Sequence, residues 1–205
     1  MKYFEIRSKD AVHIIRHMVA LSSEVLNKIH ALGISNSEIA ELMKTPGSKF
    51  NEKINDPWKL TDAIESLINH DALVWEKENG KLRAKQESLA SNETKKALGL
   101  SEKDPLGYSY VVKITQELKD KVKQQIRGSS DIGDKVLINV IEGVEPKPID
   151  TLVVHLVKEN NSIFIESLYP GFDTPALPNE SEQTVEEYSK NKEFWDNYAF
   201  IRGVY

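Results

Sequence analysis

The chain has 205 residues, 40% of them hydrophobic and 29% charged, and its 27 basic and 32 acidic side chains leave a formal net charge of -5. These fractions exclude a disordered or fibrous chain, and the lack of cysteine excludes disulfides, thiolate metal sites and a cysteine nucleophile. The opening MKYFEIRSKD has no apolar signal region, and no window nears the roughly 18 apolar residues that span a bilayer, so a cytoplasmic protein with no membrane partner is expected.

Apolar residues from Ala11 through Ile14, Met18, Leu21, Val25 and Ile29 to Leu32 recur at three- and four-residue steps, which predicts one long helix ended by Gly33. A second helix starts at Ser35 or Asn36 as N-cap and stops at Pro46, and a third opens with Pro57 after Asp56. ALVWEKENGKLRAK then reads as a β-hairpin turning at Asn79-Gly80, since both residues tolerate positive φ. The polar stretch to Pro105 reads as a linker with a short helix.

Beyond it the period changes. GYSYVVKI is expected as a strand, TQELKDKVKQQIR (115–127) as an amphipathic helix, and KVLINVIEG, LVVHLVKE and SIFIESLY as strands, with Asn160-Asn161 turning the last two. EEYSKNKEFWDNY is expected as a helix and AFIRGVY as a final strand. The fold class is therefore α+β: a helical N-terminal domain with a winged-helix-like β-hairpin (1–90), a linker (91–106), and a C-terminal antiparallel sheet domain with two helices (107–205).

Four constellations could carry chemistry. His13, His17 and Glu24 share one face of the first predicted helix and could share a cation, although their spacing matches no established zinc pattern. Lys119, Lys123 and Arg127 recur at four-residue steps and run into Gly128-Ser129-Ser130. That pattern is either a solvated face or a phosphate-binding edge to which Ser129 contributes backbone N–H. His155, within LVVHLV, has an acid/base of the right ordinary pKa for RNA cleavage, and equally suits a structural strand position. Ser167 and Tyr169 point to one side of the strand that Pro170-Gly171 ends.

The order of elements from Gly107 onward, with SLYPG closing a central strand and FWDNYAFI near the C-terminus, resembles the C-terminal modules of bacterial polymorphic toxins and phage-linked proteins. Those modules have the barnase, EndoU, colicin and RelE-like fold, and the resemblance, over about half the chain, implies a metal-independent ribonuclease. On this reading His155, Ser167 and Tyr169 are catalytic, Lys119, Lys123, Arg127 and Ser129 bind phosphate, no cofactor is needed, and the partner is RNA.

Two other readings stand beside it. Basic and acidic residues number 15 and 14 through residue 100 but 12 and 18 beyond it. That acidic excess suits a non-enzymatic protein with a protein partner better than general nucleic-acid affinity. GISNSEIAELMK with the Asn79-Gly80 hairpin suits a DNA-binding regulator, yet Lys44 to Pro57 is too long for a helix-turn-helix turn.

Overall fold

The computed structural model describes residues 4–45, 47–127 and 136–202. The protein is α+β. Within the described residues it packs as two compact units. The first takes in the chain as far as Ser109 and again from Pro148 to Phe172, and the second takes in Tyr110–Lys147 and the chain from Asp173 onward.

The first unit begins with β1 (Phe4–Glu5), then α1 (Ser8–Ile14), which passes into a 3₁₀ turn at Ile15–His17, α2 (Ser23–Ala31) and α3 (Asn36–Met43). After these come β2 (Lys49–Phe50), α4 (Pro57–Ile64), β3 (Glu76–Glu78), β4 (Lys81–Leu89), α5 (Asn92–Ala97) and β5 (Gly107–Ser109). The second unit opens with β6 (Val111–Lys113), β7 (Val122–Arg127) and β8 (Val136–Ile141). The chain then runs through β9 (Lys147–Ile149) back to the first unit for β10 (Thr151–Glu159) and β11 (Ser162–Pro170), and ends in the second with α6 (Val185–Asp196) and β12 (Tyr198–Ile201).

The main sheet of the first unit has the order β1-β11-β10-β4-β3. Only β1 lies parallel to its neighbour; β11, β10, β4 and β3 pair antiparallel. Its central strand β10 buries side chains on both faces. Leu152, Val154 and Leu156 enter the core with Ile165, Leu168, Ile14, Met18, Leu60 and Ile64, while Val153 and Val157 are buried on the other face. Burial of this kind is worth about 1.5–3 kcal/mol per large aliphatic side chain. Both hairpin turns read from the sequence are present, with Asn79 at φ 49 and Gly80 at φ 78, and Asn160 at φ 56.

Several expectations are corrected. The long first helix is broken: after the 3₁₀ turn Met18 is extended (φ -106, ψ 148), and α2 starts afresh with the Ser22 hydroxyl accepting from Val25 N–H. The periodic pattern survives the break because Ile14 and Met18 enter one core cluster and Val25 and Ile29 another. The expected helix 115–127 is a 3₁₀ turn at Lys119–Lys121 followed by strand β7, so the described residues of the C-terminal half hold one α-helix. Strand pairing decides this: β7 pairs with β8 over six residues, matching Ile126 to Leu137 and Val122 to Ile141, and a hairpin satisfies every second backbone group without helical periodicity.

The division of the chain also differs from the linear one. Residues 91–106 form no linker, since Thr94, Lys95, Leu98, Leu100 and Leu106 are buried in the first unit. The hairpin expected as a free wing contributes β4 as an interior strand, pairing with β10 from Thr151–Leu89 to Lys158–Leu82. The second unit stacks Trp195 on Phe200 beside Ile138 and Val140, with its sheet in the order β6-β12-β8-β7. No helix among the described residues is long and apolar enough to cross a membrane.

Candidate functional site

On the face of the main sheet opposite the Leu152–Leu156 core, α1 and strands β4, β10 and β11 enclose an open hollow of about 450 Å³. Its walls are Lys9, Asp10 and His13 from α1, Arg83 from β4, His155 from β10, and Glu166 and Ser167 from β11. Spacing on α1 brings its three residues together, because positions three and four apart share a helical face. On the sheet, cross-strand register does the same work: His155 lies opposite Ser167 on β11 and opposite Lys85 on β4.

A β-bulge shapes the floor. The register between β10 and β11 slips between His155 and Leu156, so that His155 faces Ser167 while Leu156 faces Ile165, leaving Glu166 as the extra residue. A bulge turns a side chain that strict alternation would send to the other face. Glu166 thereby reaches across β10 to Arg83, whose Nε donates to Oε2 at 2.9 Å and whose Nη2 donates to Oε1 at 3.1 Å. This two-pronged pair holds the Glu166 carboxyl below its ordinary pKa and the guanidinium above its own.

The α1 wall is arranged in the same manner. Asp10 is buried, at 5% exposure, and accepts from Arg7 Nε at 2.5 Å, while Arg7 Nη1 also meets Glu159 at 2.9 Å. Arg7 further covers the Phe164 ring, 4.6 Å from its centroid. His13 is pushed below its ordinary pKa, first by burial and then by the positive charge of Arg16, so its ring is neutral near pH 7. His155 acts on it in the same direction, which places the two imidazoles within electrostatic reach of each other.

Next to the hollow stands a row of three rings. Tyr169 lies 5.7 Å from His155 and 5.4 Å from His17, tilted at 37° and 34°. The His17 Nδ1 is 2.9 Å from the Ser48 carbonyl oxygen, and burial drives its pKa down to about 3. Its neighbour Lys49 is fully buried, with Nζ donating to the carbonyls of Arg16 (2.5 Å), Met43 (2.7 Å) and Thr45 (2.9 Å). Those three carbonyls lie at the ends of the 3₁₀ turn and α3, where backbone acceptors are left over and a cation is favoured.

Of the residues expected from the sequence, His155 and Ser167 line one hollow and Tyr169 flanks it. Lys119, Lys123 and Arg127 belong to the second unit and form no helical edge: Lys119 is in the 3₁₀ turn, and Lys123 and Arg127 are on β7, with Lys123 Nζ 3.5 Å from Glu142. Ser129 lies outside the described residues. The trio His13, His17 and Glu24 is separated, since Glu24 pairs with Lys28 at 3.4 Å on α2, beyond the break that follows His17. Among the described residues no group of three or more His, Asp or Glu side chains is placed to hold a metal ion.

Lys9, Asp10, Arg83 and Glu166 escaped the sequence reading. Arg83 and Glu166 are 83 residues apart and meet only through sheet order and the bulge, neither of which leaves a local signal. His13 carried the one usable clue, lying four residues after Lys9 and three before Arg16.

No protein-family profile and no curated protein matches the chain. Among solved structures, the 2.35 Å crystal structure of a conserved hypothetical protein from Toxoplasma gondii ME49 is similar over 71% of this chain and 83% of that one, with a TM-score of 0.41 and 8% sequence identity. At that score the likeness bears on neither fold nor function.

Proposed function

We propose that the hollow is a metal-independent acid/base site that cleaves RNA phosphodiester bonds. The observation that carries this reading is that two histidines, His13 and His155, line one open hollow with a hydroxyl, Ser167, and two cations, Lys9 and Arg83. Acid/base transfer needs one group to take a proton while another gives one, and two imidazoles can do both near neutral pH.

Neutral His13 suits the base. It takes the proton of the ribose 2′-hydroxyl as the 2′-oxygen bonds to phosphorus, and His155 as imidazolium gives its proton to the departing 5′-oxygen as the P–O5′ bond breaks. The products are a 2′,3′-cyclic phosphate and a 5′-hydroxyl. Ser167 and Lys9 donate to the phosphoryl oxygens as charge develops on them. Arg83, held in place by Glu166, does the same with its remaining donors. Tyr169 holds the His155 ring from the side.

The test is incubation of the full chain with total RNA in EDTA, beside His155→Ala and His13→Ala. Wild type cuts and leaves cyclic-phosphate ends, and each variant loses roughly 10²–10⁴-fold in rate. An inert wild type, or a His155→Ala protein as active as wild type, overturns the reading and leaves a non-enzymatic binding protein.

A further inference from the structure

We infer that the second unit pairs with a second copy of this chain along β7, edge to edge and antiparallel across a two-fold axis at Gln124. The contact involves no residue of the hollow and stands or falls independently of the cleavage reading.

A strand at the edge of a sheet leaves every second N–H and C=O without a partner, and proteins blunt such edges with short strands, charge or proline. Among the described residues five of the six edge strands are blunted in these ways. β1 and β2 have two residues each and β6 has three. β3 is Glu-Lys-Glu, charged throughout, and β9 is Lys-Pro-Ile, in which Pro148 has no N–H. β7 differs: it is six residues long and free of proline, and among the described residues none of its backbone groups bonds outside its pairing with β8.

Its side chains add an apolar surface to that open edge. Alternation puts Val122, Gln124 and Ile126 on one face and Lys123 and Gln125 on the other. At one end of the first face Val122 lies opposite Ile141 and both pack in a core cluster with Ala199 and Ile201. At the other end Ile126 lies opposite Leu137, and these two are 56% and 51% exposed. The apolar stripe is therefore covered at one end and bare at the other.

A two-fold axis through the sheet edge closes that stripe on itself. It keeps each face on its own side, so a residue meets only residues of its own face in the second copy. Centred on Gln124, the pairing sets Val122 against Ile126 of the second copy, Lys123 against Gln125, and Gln124 against its own equivalent, so each bare end meets the other copy's covered end. Centring on Lys123 opposes like charges, and centring on Gln125 sets Ile126 against a glutamine. Directly opposed side chains are the unit of sheet stabilisation, so the first register is the one the sequence of β7 favours.

The experiment is sedimentation of the full chain over a concentration series, which is expected to show a monomer–dimer equilibrium. Ile126→Lys raises the dimer Kd at least about tenfold, because the symmetric contact loses two isoleucines. The dilute protein keeps its thermal midpoint to within about 2 °C, since the side chain is exposed. The chain has no cysteine, so one introduced thiol reports the register. Directly opposed antiparallel residues stand about 4.5–5.5 Å apart at Cα, inside the ~4.4–6.8 Å that a disulfide needs. Gln124→Cys therefore oxidises to a covalent dimer much faster than Val185→Cys, whose position on α6 is 85% exposed. A wild type that stays monomeric throughout overturns the inference and leaves the edge to a strand from another protein. So does a dimer whose Kd is unchanged by Ile126→Lys, or crosslinking of Gln124→Cys no faster than that of Val185→Cys. Should Ile126→Lys fail to fold, the crosslinking comparison decides alone. RNA cleavage, or its absence, bears on none of these outcomes.

Discussion

Two side chains at the turn after α1 carry opposite solutions to burial. His17 stays neutral because the dense surroundings lower its pKa from 6.5 to about 3. The unfolded chain therefore binds a proton that the native state refuses. The contribution is intact above about pH 6.5 and is lost as pH falls from 6.5 toward 3, at up to about 1.4 kcal/mol per pH unit. Urea unfolding at pH 7.5 and 4.5 should show a His17-specific loss of about 2–3 kcal/mol in wild type that is absent in His17→Gln. An equal pH difference in both proteins would contradict it. Lys49 instead keeps its ammonium and surrounds it with three carbonyl oxygens. Lys49→Met leaves those acceptors without their donor and should cost about 2–3 kcal/mol in the same measurement, with a loss below 0.5 kcal/mol showing that the carbonyls find other partners.

At the scale of elements, boundaries follow from local chemistry where caps are present. Ser35 and Glu38 bond reciprocally at the start of α3, and Thr184 and Glu187 do the same for α6. Each of Ser35→Ala and Thr184→Ala should lower stability by about 1 kcal/mol. The strands obey a different constraint. At Gly107 a Cβ would stand 2.5 Å from the Lys49 carbonyl oxygen and 2.7 Å from Pro170 Cβ and Cγ, so β5 can lie against β2 and the end of β11 only without a side chain. Gly107→Ala should destabilise by more than about 2 kcal/mol, because backbone rather than a flexible side chain must move. A thermal midpoint equal to wild type would refute that.

At the scale of the whole molecule, the two units interleave along the chain, and the main sheet joins strands from its two halves. Eight residue pairs link β10 to β4, and β1 supplies a parallel edge to β11. A fragment 107–205, cut where composition suggests a boundary, keeps β10 and β11 but loses the strands on both sides and the helices that cover Leu152, Val154 and Leu156. It should show no cooperative unfolding of the β10–β11 hairpin and should expose its amides to rapid hydrogen exchange. Native-like protection at Val154 and Leu156 in the fragment would count against this interleaving.

The α+β class, the N-cap at Ser35, the helix start at Pro57 after Asp56, both asparagine turns, α6 and strands β10 and β11 were legible in the sequence, because each is written in short-range periodicity, turn chemistry or capping within a few residues. That His155 and Ser167 lie on neighbouring strands follows from the same hairpin, whereas the bulge sets them opposite each other. The strand identity of 122–127, the break at Met18, the burial of 91–106 and the walls formed by Lys9, Asp10, Arg83 and Glu166 were decided only in three dimensions. Each depends on which distant segment supplies the hydrogen bonds, the covering side chains or the counter-charge. A bulge that shifts one carboxylate toward an arginine 83 residues away is a property of paired strands, and no single strand carries it.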